Sequence, residues 1–340
     1  TSVVPPKPRA IDQLRDRIER TKRRTLRVGA LSAVVVVAVG TLAATGVAGN
    51  LVNIFQPESF APVQVNLTSF TKLPDLSGYG GVHVLETPKV TETSSAAAAA
   101  SFSGLDLLTP GKFPTSVKGA ATYLAATGGA ASFTFDAGTA AGTAGKLHKA
   151  LPPLPADLNG STLTLRGGPA VVELAGSQSI GDLAGLLPGG AGGLGLRFNR
   201  QGKGSHKPAL TPPAGNAGGI TSGITSIPDL AIVQMKAPTL SSDGPSLTEY
   251  ENALLSMPGV PASFAAQIKA LGNPSTTLPI PIPTSLASSS AVAINGATGL
   301  LIGDSTGIAS AVIWQSHGSL YAVVGTLTSS EVVSIARSLH

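Results

Sequence analysis

The five histidines are the first side chains to examine for metal or acid–base chemistry, and their positions favour neither. No two of them lie at the spacing of a metal-ligand pair, and one precedes a glycine at a predicted turn; they are His83, His148, His206, His317 and His340. The chain contains no cysteine, which excludes disulfides, thiolate zinc sites, iron–sulfur clusters and cysteine nucleophiles. We therefore predict solvated or turn histidines and no metal site.

Motifs for nucleophilic catalysis and phosphate binding find no support in the sequence either. The Gly-rich run 188–195 (PGGAGGLG) lacks the Lys and Ser/Thr of a phosphate-binding loop. One G-x-S-x-G pattern occurs, at 303–307 (GDSTG), but it lies between two predicted strands and not between a strand and a helix, so it does not predict a nucleophile elbow. Asp136, Asp157 and Glu173 could meet in space, but the sequence favours a solvated face. Trp314, the only tryptophan, is interpreted as a core aromatic. We predict a non-enzymatic protein with no catalytic or cofactor-binding residues.

Charge is concentrated at one end of this 340-residue chain. Residues 1–27 hold nine Lys/Arg against three Asp/Glu, whereas the other 313 residues hold 14 basic and 15 acidic side chains. A nucleic-acid-binding protein needs basic groups clustered on its folded surface, so this distribution predicts no nucleic-acid partner. A hydrophobic content of 42% excludes a wholly disordered polar chain.

An uncharged stretch follows the basic tail directly. Residues 28–49 would extend roughly 33 Å as a helix, close to the ~30 Å hydrocarbon core of a bilayer. The apolar character continues to residue 52, so the sequence predicts a transmembrane helix over 28–52. The first basic residue beyond it is Lys72, which places the N-terminus in the cytoplasm by the positive-inside rule. A signal peptide cleaved near 46–48 and a buried core helix are the alternatives.

Composition divides the chain into five predicted segments. They are a basic cytoplasmic tail at 1–27, the transmembrane helix at 28–52, a stalk or linker at 53–100 with a strand at 82–85, an extracytoplasmic α+β domain at 101–286 with a Gly/Pro-rich loop at 201–220, and a C-terminal sheet-plus-helix subdomain at 287–340.

Strand signals recur from residue 121 onward. Strands at 121–124 and 131–135 flank one Gly-Gly pair, and strands at 161–166 and 170–174 flank another, so both pairs predict hairpins. Further strands are predicted at 194–200 and 230–235. The proline-rich run 278–283 (LPIPIP) is expected to cross the surface in an extended form, because proline cannot donate a backbone hydrogen bond.

Two capping boxes mark helix starts in the last hundred residues. Ser246 is followed at the third position by Glu249, and Thr328 by Glu331. Between these starts, the pair at 317–318 (HG) separates two apolar runs and predicts a hairpin. The order of strands, hairpin and closing amphipathic helix predicts an antiparallel sheet with a helix packed on it.

The segment AVIWQSHGSLYAVVGTLTSSEVVSIARSL resembles the C-terminal domain that lies outside the membrane in bacterial anti-sigma-factor-like and sporulation-associated single-pass proteins. The segment at 101–114 (SFSGLDLLTPGKFP) resembles the upstream element of that family. The residues that match the family pattern are Trp314, Tyr321, Gly325, Glu331, Ala336, Ser338 and Leu339. The resemblance implies a sensing or scaffold domain related to lipoprotein-carrier-like half-barrels. Residues 1–27 contain no Cys or His, so they lack the zinc-type cytoplasmic anti-sigma domain.

These features together predict an α+β fold, with a single N-terminal transmembrane helix followed by an extracytoplasmic antiparallel-sheet domain with packed helices. The predicted function is a membrane-anchored, anti-sigma-factor-like binding or sensing module in the cell membrane of a bacterial envelope. Its predicted partners are the lipid bilayer and an envelope protein. The alternatives are a structural or accessory subunit of a larger membrane complex and an envelope lipid- or lipoprotein-carrier-like protein.

Overall fold

The computed structural model describes residues 53–55, 58–65, 76–111, 113–176, 228–271, 273, 275–283, 287–305 and 307–340. Its strands are β1 Asn53–Phe55, β2 Ser59–Val65, β3 Gly80–Glu86, β4 Val90–Thr93, β5 Thr122–Ala126, β6 Gly129–Phe135, β7 Thr162–Gly167, β8 Ala170–Ala175, β9 Leu230–Lys236, β10 Thr239–Ser242, β11 Thr277–Pro283, β12 Ala287–Ile294, β13 Ala297–Asp304, β14 Ser310–Ser316 and β15 Ser319–Gly325. Its α-helices are α1 Ala96–Ser103, α2 Ala137–Lys146, α3 Leu247–Leu255, α4 Ala262–Lys269 and α5 Ser329–Ser338. A 3-10 helix, Leu76–Gly78, precedes β3.

The strands form three sheets. A five-stranded antiparallel sheet has the order β1-β10-β7-β6-β3, and an eight-stranded antiparallel sheet has the order β12-β13-β14-β15-β9-β8-β5-β4. The third sheet is the parallel pair of β11 and β2. Within the described residues, β3 is therefore one edge of the five-stranded sheet.

Four pairs of consecutive strands pass from one large sheet to the other through a common bend. The pairs β3–β4, β5–β6, β7–β8 and β9–β10 each change sheet across two or three residues, and they keep the same order in both sheets. Neighbours remain paired on both sides of the bend: Gly129 lies opposite Gly167 in one sheet, and Ala126 lies opposite Ala170 in the other. The two large sheets are thus one antiparallel arrangement with a bend through its middle.

The two hairpins predicted at residues 121–135 and 161–174 are not formed, and the glycines at this bend explain why. A Cβ on Gly128 would lie 2.8 Å from the carbonyl oxygen of Gly167, and a Cβ on Gly168 would lie 2.4 Å from the Cβ of Lys236. The strands themselves are confirmed, but β5 does not pair with β6, nor β7 with β8. The glycines allow close backbone approach at a change of sheet rather than a chain reversal.

The C-terminal elements follow the sequence prediction closely. The hairpin of β14 and β15 turns at His317 and Gly318, both with positive φ, as a type I′ turn requires. The hairpin of β12 and β13 turns in the same way at Asn295 and Gly296. Both predicted capping boxes are confirmed, at the starts of α3 and α5.

The two faces of the eight-stranded sheet are buried differently. We call one face the helix-covered face, because α1 packs on β5 and β8 and α5 packs on β13, β14 and β15. The inner face contributes most of a cluster of 19 buried apolar residues, which includes Leu247 of α3 and Ile280 of β11. Leu163 and Leu240 of the five-stranded sheet pack against the same cluster, so the bend holds one shared core.

The proline-rich strand β11 corrects one expectation and confirms another. The extended form is confirmed, but Leu278, Ile280 and Ile282 are buried in the inner cluster, so the run does not simply cross the surface. Prolines occupy the alternate positions of the strand. Since side chains alternate between faces, the leucine and isoleucines can all point inward.

The predicted fold class is wrong. The structure is mostly β-sheet, with 41% strand against 23% helix. None of the described α-helices exceeds 10 residues. Short apolar runs separated by Gly, Pro and Ser form strands of three to eight residues here, and helices end within three turns.

The predicted transmembrane helix at 28–52 and basic tail at 1–27 lie outside the described residues. Among the residues that the structure does describe, no helix is long and apolar enough to cross a membrane. A ten-residue helix extends only about 15 Å, half of the hydrocarbon core. For this part of the chain, the prediction of a single-pass protein located in the cell membrane is therefore wrong.

Two predicted segments share sheets with the rest of the chain. The stretch 53–100, expected to be a stalk, contains β3 and β4, which belong to the two large sheets. The strands of the expected subdomain 287–340 continue the sheet that contains β9, β8 and β5. The predicted strand at 194–200 and the loop at 201–220 lie outside the described residues.

Candidate functional site

The histidines singled out by the sequence are dispersed in the structure. His83 lies in β3, His148 follows α2, His317 lies in the β14–β15 turn and His340 follows α5, and all four are exposed. His206 and the Gly-rich run 188–195 lie outside the described residues. The described residues contain no group of three or more His, Asp or Glu side chains that could hold a metal ion.

The three carboxylates that could have met in space serve separate local roles. Asp136 is the N-cap of α2 and accepts a hydrogen bond from the Thr139 backbone N–H at 2.5 Å. Hydrogen bonding to the Thr139 side chain, and then to its backbone N–H, lowers the pKa of Asp136. Asp157 is exposed in the connection between α2 and β7. Glu173 is buried on β8. This arrangement does not form an acid–base pair from these three residues.

Glu173 is the most unusual of the titratable groups described. Its side chain is only 7% exposed, and the Tyr123 hydroxyl donates to its Oε1 at 3.2 Å. Burial raises the pKa of Glu173, and the hydrogen bond from Tyr123 partly opposes that shift. Burial, followed by the charge of Glu173, raises the pKa of Tyr123 to about 12. Both residues lie side by side on the helix-covered face.

Trp314 lies in the core beneath α5. Its ring stacks on Tyr321 with centroids 5.3 Å apart and an interplanar angle of 17°. Trp314 is 3% exposed and belongs to the apolar cluster formed with Val332, Ile335 and Ala336 of α5. The environment is that of a core aromatic, because the ring has little surface left for a ligand.

The edge strand β3 has the opposite character, since its apolar side chains face solvent. Val82 is 49% exposed, Val84 is 53% exposed and Leu85 is 43% exposed. Val82 lies opposite Phe133 and Val84 opposite Ala131 on β6, so both valines extend a face whose remaining members are buried. In the described residues no strand pairs with the outer edge of β3.

The surface around the start of β3 combines apolar and basic groups. The Thr143 hydroxyl of α2 donates to the Gly78 carbonyl at 2.6 Å, which holds the end of α2 against the segment leading into β3. One turn further along α2 are Lys146 and the exposed Leu147, and Lys149 follows. Residues 137–156 contain no acidic side chain, but the exposed Asp136 precedes them and its backbone N–H donates to the Tyr79 carbonyl, so charges of both signs lie near this end of the edge.

Sequence reasoning predicted a strand at 82–85 but placed it in a stalk, and so missed this exposed edge. The signal in the sequence was that Val82, Val84 and Leu85 place aliphatic side chains on both faces of one short strand. That pattern also fits a central strand, and only the pairing partners distinguish the two cases.

Comparisons with protein-family models, with curated proteins and with solved structures find no match to this chain. The resemblance to the extracytoplasmic domain of anti-sigma-factor-like proteins stays a prediction.

Proposed function

We propose that this chain is a protein-binding module that pairs a strand of its partner with the outer edge of β3. The observation that carries the proposal is the half-exposed row of Val82, Val84 and Leu85 on a strand whose second edge is unpaired in the described residues. An edge strand offers backbone N–H and C=O groups to an incoming strand, and its alternate side chains provide specificity.

The protection that natural edge strands usually carry is confined to one end of β3. A bulge separates Val84 from Glu86, and Glu86 adds a charge at that end. The residues from Gly80 to Val84 include no Lys, Pro or acidic side chain. Such an unprotected apolar edge is the type that pairs with another chain.

The two edges of the eight-stranded sheet, β4 and β12, fit this role less well. The strand β4 has only four residues and carries Glu92 in its middle. The strand β12 presents mainly Ser and Ala to solvent, which offers little apolar area to bury. Exposed aliphatic side chains therefore favour β3 over β4 and β12.

The chemistry of the edge specifies the partner segment. Its strand should carry apolar side chains at alternate positions, which pack on Val82 and Val84. If it pairs antiparallel, as every strand of the five-stranded sheet does, its C-terminal end lies near the start of β3. Acidic residues at that end of the partner would pair with Lys146 and Lys149, at the end of the helix that Thr143 joins to Gly78.

This proposal keeps the predicted binding or sensing role and the alternative of an accessory subunit. Both roles need a protein partner, and they differ in how long the complex lasts. A reversible complex corresponds to sensing, and a fixed stoichiometric complex corresponds to a subunit.

Fluorescence anisotropy with a labelled peptide, TVTVTVDD, tests the proposal. We expect binding to the full chain, with affinity reduced at least about tenfold by Val84→Lys, which adds a charge to the edge. The matched control Val84→Thr keeps a β-branched side chain and should retain binding. A peptide with Pro in place of the central Val should not bind, because proline has no backbone N–H to donate to the edge of β3.

Equal binding to the Val84→Lys and Val84→Thr variants would overturn the proposal. A second outcome would replace the partner with another copy of this chain. In that case analytical ultracentrifugation would find a dimer that Val84→Lys converts to monomer, and the peptide would not bind at any concentration that leaves the dimer intact.

A further inference from the structure

A second segment of the chain is held as a bound peptide would be. Residues 105–110, which we call the strap, lie on the helix-covered face between α1 and α5. Leu105 and Leu107 pack on the cluster that includes Ala125 and Val171. Leu108 packs on the neighbouring cluster beneath α5. The strap therefore bridges two apolar sites on one sheet face.

The side chain of Gln234 on β9 recognises the backbone of this strap. The Leu108 N–H donates to Gln234 Oε1 at 2.9 Å, and Gln234 Nε2 donates to the Leu108 carbonyl at 2.7 Å. Gln234 is only 4% exposed. A buried amide that satisfies both the N–H and the C=O of one residue binds an extended backbone without regard to the side chain of that residue.

The residues at the end of α5 add strand-like contacts to the strap. The Thr109 N–H donates to the His340 carbonyl at 3.0 Å, and the His340 N–H donates to the Thr109 carbonyl at 3.3 Å. The Gly111 N–H donates to the Ser338 hydroxyl at 3.2 Å. Reciprocal backbone pairing of this kind is how peptides are commonly held by strand addition.

The strap lies outside the regular elements, and its side chains are exposed or half-buried except that of Leu105, which is 7% exposed. It belongs to none of the three sheets, and its side chains at Asp106 and Thr109 are exposed while Leu107 and Leu108 are half-buried. Gly104 precedes it in the left-handed region, with φ of 73° and open space around its Cβ position. A glycine in that conformation can act as a hinge.

We propose that the groove between α1 and α5 is a peptide-binding site, and that the strap occupies it in cis until an extended apolar peptide replaces it. The ligand has leucine-like side chains at the positions of Leu105 and Leu108, and the residue at the second position has its N–H and C=O free for Gln234. The site is separate from the β3 edge, and neither proposal depends on the other.

Anisotropy with a labelled peptide of residues 104–111 (GLDLLTPG) tests this proposal on the full chain. The wild-type chain should bind it weakly, because the tethered strap leaves the site free only a small fraction of the time. The Leu105→Ala/Leu108→Ala variant weakens the strap and leaves the groove intact, so it should bind the peptide at least about tenfold more tightly. Adding Gln234→Ala should abolish that gain, and Asp106→Ala, an exposed change on the strap, should bind as wild type.

Failure of the double variant to bind more tightly than wild type, with unchanged circular dichroism, would overturn the proposal. Hydrogen exchange of the wild-type chain provides a test that does not depend on folding of the variant. The Leu108 and Thr109 amides should exchange faster than the amides of Ala231 and Val233 in β9. Exchange of all four amides at one rate would mean that the strap opens only on global unfolding, and would also overturn the proposal.

Discussion

Gly128 and the carbonyl of Gly167 meet at the bend between the two large sheets, where a Cβ on Gly128 would lie 2.8 Å from the Gly167 oxygen. Real Cβ atoms essentially never approach a backbone atom this closely. The contact joins the β5–β6 connection to the end of β7, so it sets how closely neighbouring chains pack where they change sheet.

The first prediction concerns this contact. Gly128→Ala should lower the free energy of unfolding by about 1–3 kcal/mol, because backbone must shift to admit the methyl group. Gly142 in α2 has no heavy atom within 4 Å of its Cβ position, so Gly142→Ala should instead stabilise by about 0.5–1 kcal/mol. Urea denaturation measures whether each substitution lowers or raises the free energy of unfolding. A neutral Gly128→Ala would mean that the bend is not closely packed.

The second prediction concerns Glu173. Its native pKa is raised by burial, so it stabilises the fold most below the unfolded pKa of about 4.3, and this contribution is lost as pH rises through the native pKa. Glu173→Gln keeps an acceptor for the Tyr123 hydroxyl and does not titrate. As pH rises from 4 to 8, the unfolding free energy of the variant should therefore increase relative to that of the wild type.

Thermal unfolding of both proteins across that pH range provides the measurement for Glu173. Comparison with wild type cancels the contributions of Asp136, Glu249 and Glu331, whose pKa values are lowered and which act in the opposite direction. A difference that is constant with pH would contradict the assignment of a buried carboxyl with a raised pKa.

The third prediction concerns the start of α5. The Glu331 N–H donates to Thr328 Oγ1 at 3.3 Å, and the Thr328 N–H donates to Glu331 Oε2 at 2.8 Å. Thr328→Ala should cost about 1 kcal/mol of unfolding free energy, whereas Thr328→Ser should cost little because it keeps the hydroxyl. Since α5 covers Trp314, tryptophan fluorescence can follow the unfolding. Equal stability of the Ala and Ser variants would contradict the capping role.

Local features of this fold could be predicted from the sequence, and long-range pairing could not. The turn at His317 and Gly318, and the capping boxes at Ser246 and Thr328, depend on neighbouring residues, and all were predicted correctly. The Gly-Gly pairs were misinterpreted because a glycine fits both a tight turn and a close approach of two chains. Only the non-local partner, Gly167 for Gly128, distinguishes these cases.

The candidate sites were hidden from the sequence for the same reason. Val82 and Val84 are exposed because, among the residues that the structure describes, no strand pairs with the outer edge of β3, and this is a property of sheet order. The contact of Gln234 with Leu108 joins residues 126 positions apart. Neither relationship leaves a periodic pattern in the chain. From residue types alone, β3 would be interpreted as a core strand and Gln234 as a buried polar residue without a special role.

Residue-resolved hydrogen exchange of the full chain with and without the peptide TVTVTVDD tests the central claim about β3 most directly. Partner-strand pairing predicts that amides within Gly80–Glu86 gain at least about tenfold protection, while amides of β12 and β4 are unchanged and the Val84→Lys variant shows no gain. Unchanged exchange in β3 at saturating peptide, or protection confined to another edge, would contradict the claim.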